Sequence, residues 1–247
     1  VHRQAADSSI ITNAHRINQG QAPHYNQGDD FFMFHYANPH PEQIAGTVEA
    51  LVTTKIPTKF GLEPADIQVL SPVYHGPAGV TALNQRLQSR LNPPRATKPE
   101  LQLADSRVLR VGDRVMQIHN DYERGVFNGN QGRIIEITDA KNDASKAELV
   151  VRFEAGRRVR YSRSDVGALR LAYAMTIHKA QGGEFPAIVL VLLKQHYPLL
   201  RRNLLYTGLT RAKQLAVLVG NRQAVQIAIN NNDVAQRYTR LQQRLQP

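Results

Sequence analysis

Ala187-Ile-Val-Leu-Val-Leu-Leu193 is an unbroken apolar run, and Leu215-Ala-Val-Leu-Val219 is a second. Neither alternates with polar residues, so each reads as a strand buried on both faces, the habit of a parallel sheet covered by helices. Helical sequence follows each. Toward the N-terminus, Phe31 to Tyr36 is a compact apolar and aromatic strand, and Ile67 to Leu70 is a short one ending at Pro72. Helical spacing recurs around them in Asp7 to Asn18, where Ile10, Ile11, Ala14 and Ile17 fall in phase and Gly20 is a stop, and again in Ile44 to Val52. Pro77 to Leu91 aligns Val80, Leu83, Leu87 and Leu91 on one stripe, with Pro77 suited to the first turn. This alternation is that of an α/β fold.

The texture changes between Asn92 and Asp165. Gly/Asn turns, Phe127-Asn-Gly-Asn-Gln-Gly132 above all, separate short alternating runs at Arg114 to Ile118, Arg133 to Ile137, Leu149 to Phe153 and Arg158 to Tyr161. Such spacing predicts a small antiparallel sheet or barrel. The expected organisation is one α/β domain formed by residues 1–100 and 168–247, interrupted by a β insertion over 101–167, with Pro93-Pro-Arg95 as an entry linker.

A 42% hydrophobic content over 247 residues is enough for a buried core, which argues against wholesale disorder. The absence of cysteine removes thiol nucleophiles, disulfides and Cys-based zinc sites. Nine histidines show no metal-ligand spacing, so no metal site is expected. No apolar run approaches a membrane span and no signal peptide opens the sequence, so the expectation is a cytoplasmic protein without membrane contact. Formal charge is +11, unevenly placed: residues 1 to 64 carry 4 basic and 6 acidic side chains, residues 201 to 247 carry 8 and 1. Arg157, Arg158, Arg160 and Arg163 form a second basic spot. Phosphate backbones are the usual partners of such surfaces, and a solvated basic face is the alternative.

Chemistry concentrates in two segments. In Ala174-Met-Thr-Ile-His-Lys-Ala-Gln-Gly-Gly-Glu-Phe-Pro186 the apolar residues stop at Met175; Thr176, His178, Lys179 and Gln181 can bond phosphate or base edges, and the glycine pair permits close backbone approach. In Leu204-Leu-Tyr-Thr-Gly-Leu-Thr-Arg-Ala-Lys213, Arg211 reads as an arginine on a rigid helix, able to aim its planar fork at a phosphate.

Together these segments resemble motifs V and VI of superfamily 1 helicases, in the wording of the RecD-like branch (the RecD/TraA type), which unwinds DNA from 5′ to 3′. His2-Arg-Gln-Ala-Ala-Asp-Ser-Ser-Ile10 and Asn13-Ala-His-Arg-Ile-Asn-Gln-Gly20 resemble motif IV and its helix. Ile67 to Gly79 with Leu83-Asn84 resembles the next family block. Gly112-Asp-Arg-Val-Met-Gln117, Asn120-Asp-Tyr122 and Val126-Phe-Asn-Gly129 resemble the SH3-like barrel such helicases insert. Two positions depart from the pattern: His75 stands where relatives commonly carry Arg or Lys, and Ala180 replaces a small hydroxyl residue.

The resemblance implies a RecA-like parallel sheet with helices on both faces, interrupted by a small SH3-like β-barrel. It implies that Arg3 and Arg211 act as arginine fingers, and that Gln4, Gly182 and Glu184 adjoin ATP. Thr176, His178, Lys179, Gln181 and Asn128 would meet single-stranded DNA. Tyr122 and Phe127 have two readings, barrel core or platforms for base stacking. The sequence contains no Gly-Lys and no Asp-Glu dipeptide, hence no P-loop and no acidic pair of the helicase type. The chain therefore reads as the C-terminal half of such a helicase, inactive alone and binding no cofactor, with ATP and Mg2+ entering only beside an N-terminal motor domain. Recombination or repair subunits are further expected partners. The alternatives are a stand-alone nucleic-acid-binding or regulatory module, and the helicase half of a conjugative relaxase.

Overall fold

The computed structural model describes residues 8–138 and 147–232. Its first part runs α1 (Ser9–Asn18), β1 (Phe31–His35), α2 (Pro41–Ala50), α3 (Ile56–Phe60), β2 (Ile67–Ser71) and α4 (Val80–Leu91). Short strands follow: β3 (Glu100–Gln102), β4 (Val108–Arg110), β5 (Arg114–Gln117), β6 (Gln131–Thr138), β7 (Glu148–Phe153), β8 (Arg158–Ser162) and β9 (Leu169–Leu171). The last part is β10 (Ala174–Thr176), β11 (Phe185–Leu192), α5 (Arg202–Leu209), β12 (Ala212–Gly220) and α6 (Arg222–Asn230).

Among these residues five strands form a parallel sheet in the order β1-β12-β11-β2-β10. The apolar run of β11 divides by alternation between two cores. Ile188, Leu190 and Leu192 face α1, α5 and α6, while Ala187, Val189 and Val191 face α2, α3 and α4. Helices thus cover both faces, as the uninterrupted apolar sequence requires.

Two helical expectations are refined. The stripe beginning near Ile44 is one continuous run, α2 to α3, widened to π geometry over Leu51–Lys55 and ended at Gly61. Pro57 has no N–H for the regular ladder, and the widened turn lies just ahead of it. Pro77 stands outside α4. The helix starts at Val80 because the preceding turn folds back on it, Val80 N–H donating to Val73 O at 2.9 Å and Thr81 N–H to Tyr74 O at 3.1 Å. Gly79 permits that approach, since a Cβ there would lie 2.4 Å from His75 O.

The other strands form an antiparallel sheet in the order β8-β7-β6-β5-β9 and a separate β3-β4 hairpin. Leu101 and Leu109 of the hairpin join Val115, Ile134, Leu149 and Tyr161 in a third core. The expected closed barrel is open in its hydrogen bonding: among the described residues no ladder joins β8 to β9. A short helical turn, Asp165–Ala168, connects those edges. Asp165 accepts there from Arg124 Nη2 at 2.5 Å and from Ser162 Oγ at 2.9 Å, so side chains occupy the gap.

Asp113, fully buried just before β5, binds the two sheets together. Its carboxylate accepts from Gln88 Nε2 and Asn92 Nδ2, both at 2.6 Å, from Arg110 N–H at 2.7 Å, and from Tyr173 Oη at 2.9 Å. Burial first, and the adjacent carboxylate second, push the Tyr173 phenol above its ordinary pKa, so it stays a proton donor. Arg114 adds a second tie, reaching from β5 to Ile67 O and Gln68 Oε1 at 3.0 and 2.8 Å.

Candidate nucleotide and nucleic-acid interface

The loop between β10 and β11 carries most of the residues singled out in the sequence. Thr176 is buried at the strand end; its Oγ1 accepts from Lys179 N–H at 3.3 Å and its carbonyl from Ala180 N–H at 3.2 Å. Ile177 and Ala180 are packed in the core below. Anchored through these positions, the loop presents His178, Gln181 and Gly182 to solvent. Gly182 has φ +85°, the left-handed conformation that favours glycine, which turns the chain back toward β11. Ala180 is 1% exposed, so the position that departs from the family pattern faces the core here.

Arg211 is not on a helix. α5 ends at Leu209, and Arg211 lies in the turn that feeds β12. The short connection leaves no room for another helical turn before the strand must begin. The guanidinium is nonetheless fixed: Nε donates to Thr207 O at 3.2 Å, Nη1 to Gly183 O at 3.0 Å and Nη2 to Thr210 Oγ1 at 3.2 Å. All three acceptors are neutral, so they orient the charge without cancelling it. Beside them Glu184 pairs with Lys213 at 3.1 Å, a partner that the sequence reading missed.

From the same loop, Lys179 Nζ reaches Asn128 Oδ1 in the segment between β5 and β6. That segment is tightly built. Asp121 and Val126 bridge, Phe127 N–H donates to Asn130 Oδ1 at 2.7 Å, and Asn128 N–H to Asn120 Oδ1 at 2.9 Å. Arg124 pairs with both Asp121 and Asp165 and holds the base of the segment. Tyr122 and Phe127 are surface residues, 78% and 43% exposed, in edge-to-face contact with centroids 5.7 Å apart. The barrel-core reading of these rings is therefore wrong. The core places are taken by Val126 and Tyr161 instead.

Asn128 to Gln131 and His178 to Phe185 wall a cleft of about 590 Å³. A second cleft of about 400 Å³, lined by Tyr74, Gln85, Arg107, Met116 and Arg170 among others, shares Thr176 and Lys179 with the loop. Its aromatic and cationic members come from separate elements, so no local motif marks them. Of the basic spot, Arg157, Arg160 and Arg163 bond Arg124 O, Glu148 and Gln102 O, which leaves Arg158 unpaired among the described residues. Arg3 and Gln4 lie outside the described residues. Among those described, no group of three or more His, Asp or Glu could hold a metal, and no helix is long and apolar enough to cross a membrane.

Comparison with known proteins gives these features a family. Residues 83–153 match the model of the ATP-dependent RecD-like DNA helicase SH3 domain, and residues 171–219 that of the UvrD-like helicase C-terminal domain. The chain is 36% identical over 228 residues to the ATP-dependent RecD2 DNA helicase of Deinococcus radiodurans, across 92% of this chain and 29% of that protein. The chain belongs to the RecD-like helicases. RecBCD enzyme subunit RecD of Mycobacterium tuberculosis is 32% identical to this RecD-like chain over 172 residues, covering 69% of the chain and 27% of the relative. The chain thus spans less than a third of the length of these two relatives. The RecD-like fold is shared with the Bacteroides Pif1 helicase solved with ADP-AlF3 and ssDNA, at TM-score 0.53 and 19% identity over 92% of this chain and 52% of that one. It is shared also with Candida albicans Pif1, at TM-score 0.52 and 19% identity over 91% and 56%. The small β unit carrying Asn128 is accordingly an SH3-like domain.

Proposed function

We propose that this chain is the second motor domain, with its SH3-like insertion, of an ATP-dependent 5′–3′ DNA helicase. The observation that carries the reading is the bond from Arg211 Nη1 to Gly183 O. It joins the two motif segments, so that an oriented cation stands beside the glycine turn and Glu184 of a loop that also carries His178, and whose Lys179 reaches Asn128. An arginine whose acceptors among the described residues are all neutral oxygens suits an anionic group, and stabilising charge on a transferring phosphoryl group is work that arginine does.

In this proposal Arg211 and Arg3 are arginine fingers, and Gln4, Gly182 and Glu184 adjoin the nucleotide. Thr176, His178, Lys179, Gln181 and Asn128 line a single-stranded DNA track, with Tyr122 and Phe127 as stacking surfaces. Mg2+ and the cradle for the ATP phosphates belong to an N-terminal motor domain, so this chain alone hydrolyses nothing. The proposed division is residues 1–100 and 168–247 for the motor domain and 101–167 for the insertion; β9, which pairs with β5, lies wholly beyond that second boundary. The whole protein's partners would then be single-stranded DNA, the other motor domain, and recombination or repair subunits.

The test uses the full gene product on tailed duplexes. Strand displacement should require a 5′ tail, and Arg211→Ala should lower kcat for ATP by roughly 10³-fold or more with KM little changed. Displacement from a 3′ tail, or an effect on KM alone, would overturn the assignment.

A further inference from the structure

The edge of the parallel sheet farthest from β10 carries a groove that the helicase reading leaves unused. Phe32 and Phe34 stand on one face of β1, two residues apart as strand geometry dictates. With Leu51, Ile56 and Phe60 they line an apolar groove of about 410 Å³. Its helical wall includes the π turn Leu51–Lys55, a geometry that helices adopt mostly as single turns and frequently at functional positions.

Two cations rim the groove. Lys55 Nζ lies 5.2 Å from the Phe34 ring centre, and Lys59 Nζ lies 4.8 Å and 5.3 Å from those of Phe32 and Phe60. Neither ammonium has a carboxylate partner among the described residues; Glu49 of α2 is engaged by Arg86 and Arg90. Stacking on the rings fixes the lysines at the rim and leaves their charge outward. An apolar slot between two uncompensated cations is complementary to a segment with one apolar anchor and flanking carboxylates.

The edge itself is closed to strand addition at its centre. Met33 N–H donates to Asn26 Oδ1 at 2.7 Å and Met33 O accepts from Asn26 Nδ2 at 3.5 Å, on the side away from β12. Recognition here would therefore run through side chains and not through backbone pairing.

We infer that the groove docks an acidic peptide segment of another protein, seating an aromatic or aliphatic side chain among Phe32, Phe34 and Phe60 and its carboxylates on Lys55 and Lys59. The surface lies on the sheet face away from α5 and on the edge away from β10. The partner and DNA occupy the chain together, and the inference does not rest on the helicase assignment.

The probe is a fluorescein-labelled pentapeptide pool, three acidic residues followed by two drawn from Leu, Ile, Phe and Trp, titrated by anisotropy. A charge-inverted pool with Lys and Arg is the control. The acidic pool should bind saturably, more weakly as salt rises. Lys55→Glu with Lys59→Glu should weaken it roughly tenfold or more, and Thr58→Trp, placed at an exposed groove position, should abolish it. Both variants should bind single-stranded DNA as the wild type does. Absence of saturable binding by the acidic pool, equal binding of the two pools, or indifference to Thr58→Trp would overturn the proposal. Two further outcomes would do so by naming another occupant: a dimer in sedimentation that Thr58→Trp dissociates, or DNA affinity that falls with the paired lysine changes.

Discussion

Lys179 Nζ donates to Asn128 Oδ1 at 2.5 Å, joining the loop after β10 to the SH3-like unit across 51 residues of sequence. A phosphate entering the cleft competes for the same ammonium. Lys179→Ala should therefore weaken single-stranded DNA binding and lower the salt slope by about 0.7, the value of one phosphate contact on a single strand. Fluorescence titration at several salt concentrations reads both quantities. An unchanged slope would place the phosphates elsewhere.

Tyr122 and Phe127 contribute little to the fold because they face solvent. Replacing either with Ala should change stability by less than about 0.5 kcal/mol. Affinity for single-stranded DNA should fall by about 1–3 kcal/mol for each base that loses its platform. Urea unfolding alongside the titration separates the two effects, and unchanged affinity in the double variant would remove the rings from the DNA path.

Asp113 is the position where one substitution should unfold the most. Asp113→Ala strips the acceptor from Gln88, Asn92, Tyr173 and the Arg110 amide inside the protein. Each buried neutral donor left without its acceptor costs about 1–3 kcal/mol, so the total loss should reach at least about 3 kcal/mol. The midpoint of urea denaturation measures it, and a loss under about 1 kcal/mol would mean that these donors find other partners.

His196 should make stability depend on pH. It is 3% exposed, its Nδ1 has no hydrogen-bond partner among the described residues, and burial pulls its pKa from 6.5 down to about 4. Between those values the unfolded chain holds the proton and the native chain does not. The contribution is therefore complete above pH 6.5 and is lost as pH falls toward 4, by about 3 kcal/mol in all. His196→Leu should flatten that part of the profile relative to the wild type; parallel profiles would show that the imidazole does not titrate differently on folding.

The parallel sheet was legible because a strand buried on both faces has to be apolar throughout, and Ala187 to Leu193 is. The motif segments were legible for a related reason: a polar loop that follows a buried strand directly must do something other than pack. Arg211 was misplaced by a residue or two because periodicity does not mark where a helix yields to a strand. Sequence leaves Tyr122 and Phe127 open between core and surface, because aromatic residues among short strands occupy either, and it takes the burial of Val126 between their positions to settle it. Asp113 stands in the family-like segment Gly112 to Gln117, yet its role as a buried acceptor was not legible there. Its donors come from α4, from the end of β4 and from Tyr173, and nothing in Gly112-Asp-Arg114 announces a meeting of that kind.

The carboxylate of Asp113 also constrains how the protein can be dissected. A gene segment cut at 101 and 167 would excise a chain that looks complete by its strands up to β8, yet it would carry Asp113 away from Gln88, Asn92 and Tyr173. One main-chain donor, from Arg110, would remain. Material made that way would inherit an anion designed for four donors, and its poor solubility or melting would say nothing about the small β unit in place. Boundaries that begin within α4 and end after Tyr173 keep the anion's company intact.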